Sequence, residues 1–100
     1  MKVRVTDDAK ADLRQIKTFI SERNAIAAEG VIDSIRKTLT LLGVLPRLGH
    51  PGLVDGTFEK GVPRVPYLIV YRIGITDDDR ELVVLRVYHG AQPRSKHNRL

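Results

Sequence analysis

One hundred residues with 42% hydrophobic and 29% charged side chains make a single globular domain, and a chain this long buries only about two-thirds of its unfolded surface. Aromatics are 5% of the chain and cysteine is absent, so the one modest core must be Leu, Ile and Val, and disulfides, thiol nucleophiles and thiolate zinc sites are excluded. The net charge of +5, without a signal-like stretch or a run approaching about 18 apolar residues, predicts a soluble cytoplasmic protein with no membrane association and an anionic partner.

Met1 to Val5 alternates polar and apolar residues, with Val3 and Val5 on one side, and predicts a short strand. Thr6 then caps a helix whose first turn holds Asp7 and Asp8, acids suited to the positive end of the helix dipole. Ala9, Leu13, Ile16 and Ile20 form one apolar stripe that runs to about Glu22. Asn24 caps a second helix with the stripe Ala28, Ile32, Ile35, Leu39 and Leu42, about 19 residues from Ala25 to Gly43. Gly30 inside it costs about 1 kcal/mol relative to alanine. Gly43 is expected as a left-handed stop, with Pro46 preventing resumption. So short a connection forces an antiparallel helical hairpin with facing stripes. The outer lysines and arginines, such as Lys10, Arg14 and Lys37, read as solvated surface.

Leu45 to Thr57 is rich in glycine and proline and reads as a connection. A strand over Phe58 to Val62 follows, then two longer strands, Tyr67 to Ile73 and Glu81 to His89, joined by the polar tip GITDDDR as a hairpin. The order predicts an α+β domain over residues 1–100, with the helical hairpin on one face of a small antiparallel sheet whose last three strands form a meander. Symmetric pairing about the tip would send Tyr67, Ile69, Tyr71, Ile73, Val83, Leu85 and Val87 towards the helices. Leu68, Val70, Arg72, Leu82, Val84, Arg86 and Tyr88 would then line the opposite face, a mixed apolar and basic surface suited to a partner. The alternative is that Arg72 and Arg86 lay their stems across the sheet and pair with Glu59 or Glu81.

Residues 91–100 form a basic tail in which Arg94, Lys96 and Arg99 face no acid, either a contact for a polyanionic target or a solvated terminus. His50, His89 and His97 have no metal-ligand spacing, so neither a metal nor a cofactor is expected.

Six motifs carry a family resemblance. The pattern A-x-x-D-L-x-x-I (Ala9, Asp12, Leu13, Ile16), R-N-x-x-A-A (Arg23, Asn24, Ala27, Ala28), L-P-R-L-G from Leu45, G-T-x-E from Gly56, P-Y-L-I-V-Y-R-I from Pro66 and V-L-R-V-x-H-G-A-Q from Val84 resembles the RelE/ParE superfamily of bacterial type II toxin-antitoxin toxins across nearly the whole chain. The resemblance implies the architecture above, growth inhibition, and a ParD-like cognate antitoxin bound in a hetero-oligomer. The antitoxin's acidic, flexible segment would fold onto the toxin. Its aliphatic side chains would meet Leu68, Val70, Leu82 and Val84 beside Tyr88, and its carboxylates Arg72 and Arg86.

The superfamily divides by target. RelE-like members cleave mRNA on the ribosome, with basic residues stabilising developing phosphate charge and a histidine, glutamate or tyrosine moving protons. Here the arginine expected before the aliphatic-Val-Tyr of the third strand is Leu68, the one after the last strand falls near Ala91, and the terminal tyrosine has no equivalent. What remains for an endoribonuclease is Glu59 as base, Arg64, Arg72 or Arg86 as charge stabilisers and His89 as acid, although His89 has the parity of the buried face. ParE-like members poison DNA gyrase and need no acid-base set. The long second helix and the basic C-terminal segment, which resembles a region implicated in toxicity, also fit that branch. The favoured expectation is a non-enzymatic ParE-like toxin. The alternatives are a ribosome-dependent mRNA endoribonuclease and an inactive toxin or nucleic-acid-binding module.

Overall fold

A computed structural model describes residues 1–75 and 79–91. The order is β1 (Lys2–Val5), α1 (Asp7–Ser21), α2 (Ala25–Val44), β2 (His50–Pro51), β3 (Thr57–Gly61), β4 (Tyr67–Ile75) and β5 (Arg80–His89). Both predicted caps form: the Thr6 hydroxyl accepts from the Ala9 N–H at 3.2 Å, and the Asn24 side chain accepts from the Ala27 N–H at 3.0 Å. Each satisfies one of the amides a helix start leaves unpaired. The two stripes then bury Ala9 and Ile16 against Ala28, Ile35 and Leu42, with Leu13, Ile20, Ile32 and Leu39 partly covered around them.

The strands form one five-stranded sheet, ordered β1-β5-β4-β3-β2. Its meander is antiparallel as expected, but β1 runs parallel to β5, so the sheet is mixed. Alternation marks Met1 to Val5 as a strand without fixing its direction. Tertiary packing fixes it by placing Val3 beside Leu82 and Val5 beside Val84. The two-residue β2, within the stretch read as a connection, caps the edge of β3, where Pro51 needs no ladder N–H.

Gly43 is not a left-handed stop. It lies within α2, which continues to Val44, and the only glycine with positive φ among the described residues is Gly56. Its role is close approach: a Cβ there would stand 3.0 Å from Val3 Cγ2 and 3.2 Å from the Met1 carbonyl oxygen, and the Met1 ammonium donates to the Gly43 carbonyl at 3.0 Å. The start of the chain is thereby held to the end of α2.

The largest departure from symmetric pairing lies in β5. Opposite β4 the register shifts between Val70 and Tyr71: Val70 pairs with Arg86 and Tyr71 with Val84, so Leu85 is the extra residue of a β-bulge. Before the bulge even-numbered side chains face the helices, and after it odd-numbered ones do. Leu82, Val84 and Val87 all join the core with Tyr67, Ile69 and Tyr71. The expected face assignment is therefore corrected at four positions. Leu82 and Val84 lie beneath the protein's own helices at 0% exposure, Val83 shares the outer face with Arg72, and Leu85 sits at the bulge. The bulge falls where β1 gives way to α1: the Thr6 N–H donates to the Val84 carbonyl and the Thr6 hydroxyl to the Leu85 carbonyl, both at 3.1 Å.

Candidate functional site

With the register set, the outer sheet face carries Thr57 and Glu59 from β3, Leu68, Val70 and Arg72 from β4, and Glu81, Val83, Arg86 and Tyr88 from β5. Val70, Val83 and Tyr88 are each 1% exposed, whereas Arg72 is exposed and Leu68 half-buried. Of the residues expected to meet an antitoxin, Leu68 and Arg72 thus present surface, Val70 and Tyr88 are covered, and Leu82 and Val84 are on the other side of the sheet.

Among the described residues the ion-pair partner of Arg86 is Asp12 rather than Glu59 or Glu81. Asp12 lies in α1 at 8% exposure, between Ala9 and Leu13 on the apolar stripe. Arg86 Nε donates to Asp12 Oδ2 and Arg86 Nη2 to Asp12 Oδ1, both at 2.8 Å, a bidentate fork. Asp12 Oδ2 also accepts from the Val87 backbone N–H at 2.9 Å. That amide lies just past the end of the β1 ladder, so the carboxylate substitutes for a strand partner. The hydrogen bonds that Arg86 donates to the Asp12 carboxylate raise its pKa above the ordinary value, and burial raises that of Tyr88. The Arg86 guanidinium lies 5.7 Å from the centre of the Tyr88 ring. Glu81 instead takes Arg4 at 3.2 Å on the same face. An acid set within an apolar helical stripe, in a chain with an arginine on a core strand, was the available signal for this pair.

Of the residues singled out for RNA cleavage, Glu59, Arg72 and Arg86 share the outer face, whereas His89 and Arg64 lie elsewhere. Glu59 is 1% exposed on the outer face, where its Oε2 accepts from the Leu53 N–H at 3.3 Å and closes the loop before β3. Arg86 shares that face across β4, committed to Asp12. His89 ends β5 on the opposite side, edge-on to Tyr67 at 5.5 Å, and its Nδ1 accepts from the Ala91 N–H at 3.1 Å. It borders a cleft of about 360 Å³ with Gln15, Ile16, Phe19 and Tyr67, which is apolar rather than catalytic in character. Arg64 stands in the β3–β4 turn beside α2. The tail residues expected to touch the target, Arg94, Lys96 and Arg99, lie outside the described residues. No group of three or more His, Asp or Glu among the described residues could hold a metal ion, and no helix among them is long and apolar enough to cross a membrane.

Comparison with known proteins agrees with this geometry. Residues 3–94 match the family described as ParE toxin of type II toxin-antitoxin system, parDE. Over 91 residues the chain is 31% identical to Y4kP of Sinorhizobium fredii, a protein assigned by name as a toxin, covering 91% of this chain and 90% of that one. Among solved structures, a chain of the chromosomal ParDE toxin-antitoxin system of P. aeruginosa superposes with a TM-score of 0.75 at 22% identity, covering 89% of this chain and 95% of that one. A chain of the toxin-antitoxin complex RelBE2 of Mycobacterium tuberculosis gives 0.59 at 28% identity, covering 88% and 95%.

Proposed function

Because the chain belongs to the ParE toxin family of type II toxin-antitoxin systems, we propose that it poisons DNA gyrase and is neutralised by a cognate ParD-like antitoxin. The observation carrying this reading over RNA cleavage is the bidentate hold of Asp12 on Arg86. A charge stabiliser for phosphoryl chemistry must direct its donors at the position where negative charge develops. Both of these Arg86 donors are instead spent on a carboxylate of the same chain, in a fold where Glu59, His89 and Arg64 stand on separate surfaces. Inhibition by binding requires no such set.

In this reading Leu68 and Arg72 supply the accessible outer-face contact for the antitoxin, and the tail with Arg94, Lys96 and Arg99 contacts the target. Arg72 makes no ion pair among the described residues, which leaves its charge open to an antitoxin carboxylate. The test is controlled induction of the gene. Filamentation with DNA-damage signalling, abolished by co-expressing the antitoxin, is expected, and Arg72→Ala should weaken antitoxin binding in titration calorimetry. Codon-biased mRNA cleavage on translating ribosomes would replace the reading with the endoribonuclease one. Absence of arrest would leave an inactive toxin.

A further inference from the structure

Arg64 is the only non-glycine among the described residues with positive φ, at 68°. It occupies the third position of the tight turn Val62-Pro63-Arg64-Val65, closed by the Val65 N–H towards the Val62 carbonyl at 3.5 Å. Proline second and a left-handed third residue are the marks of a turn whose third position glycine or asparagine fills without strain. Arginine there crowds its Cβ against the backbone, so the turn would be better served by glycine. Strain retained at one charged residue points to a task for its side chain.

The surroundings indicate the task. Arg64 and Pro63 face Ser34, Lys37, Thr38 and Leu41 of α2 across a cleft of about 390 Å³. Each wall pairs a cation with an apolar group, Lys37 with Leu41 on α2 and Arg64 with Pro63 on the turn, and Leu41 is 44% exposed. Lys37 already accommodates a carboxylate, that of Asp33 at 3.1 Å. A phosphodiester chain would find no ring to stack on among the residues lining the cleft. A second copy placed about a two-fold axis would bring the same cations together. An acidic peptide with an aliphatic side chain complements both walls. We propose that this cleft binds an acidic-aliphatic peptide segment of the antitoxin, with a carboxylate between Lys37 and Arg64, an aliphatic side chain against Leu41 and Pro63, and Arg64 determining affinity and specificity.

The proposal rests on the reading of the protein as an antitoxin-neutralised toxin, and its test separates the two. Antitoxin affinity is measured by titration calorimetry at several salt concentrations for wild type, Arg64→Gly, Arg64→Asn and Arg64→Lys, with melting temperatures alongside and a 20-base-pair DNA duplex as a second probe. Arg64→Gly and Arg64→Asn relieve the strain and should melt at or above wild type, yet bind antitoxin about tenfold more weakly and with a shallower salt dependence. Arg64→Lys, which keeps the charge without the planar fork, should fall between. Unchanged antitoxin affinity in a glycine variant that melts higher would overturn the proposal and leave the functional reading intact. Loss of duplex affinity alone would overturn it in favour of a phosphodiester ligand. A wild-type protein that fails to bind the antitoxin would remove both.

Discussion

Asp12 is the residue on which helix and sheet depend together. At 8% exposure it holds two donors of Arg86 and the N–H of Val87, so its loss would take the acceptor from all three. The Arg86 side chain is itself only 20% exposed, which limits how far water can compensate. Asp12→Ala should destabilise the protein by about 3 kcal/mol in urea unfolding, because breaking one side of a buried pair leaves the other uncompensated. Asp12→Ala/Arg86→Ala should cost less than the sum of the single changes, and additivity would show that the pair is not coupled. The exposed pair Lys37–Asp33 offers a contrast, contributing only a few tenths of a kcal/mol. An isolated acid in an apolar stripe is visible in sequence, but its partner lies 74 residues away, and no local rule names it.

Within the helical hairpin, two glycines of one helix have different reasons to be there. Around Gly30 nothing lies within 4 Å of an added Cβ, so Gly30→Ala should stabilise by about 1 kcal/mol through helix propensity alone. Gly43 has Val3 Cγ2 at 3.0 Å from such a Cβ, and Gly43→Ala should gain markedly less or become destabilising as β1 is pushed away. Chemical denaturation of both variants checks this, and equal gains would mean that β1 yields freely. The caps and stripes were legible because they depend on neighbours within a few residues. The parallel pairing of β1 and the bulge at Leu85 were not, since both arise where β1 turns into α1 against a strand far away in sequence.

Across the whole molecule, three tyrosines set an alkaline limit. Burial raises the pKa of Tyr67, Tyr71 and Tyr88 above 10.0, and Tyr71 donates to the Pro46 carbonyl at 2.8 Å while accepting from the Gly49 N–H at 3.0 Å. The folded chain therefore holds these protons after the unfolded chain has lost them, so stability falls as pH rises from about 10 through the higher folded values. Below 10 these groups should leave stability unchanged. A melting temperature that stays level from pH 9 to 11.5 would contradict the assignment of all three as buried neutral phenols. Tyr71→Phe, which frees the loop at Pro46 and Gly49, should also cost about 1–2 kcal/mol at neutral pH.

The helical hairpin, the meander and the family can be read from the order of residues, because periodicity, capping residues and turn chemistry act over a few positions and six motifs fall in one order. Which side of β5 faces outward follows instead from three-dimensional pairing. One extra residue at Leu85 reverses the alternation of a strand, so Leu82 and Val84 enter the core while Arg86 remains outside and turns to Asp12. Side-chain parity is local, but the register that gives it meaning belongs to the pairing of distant strands.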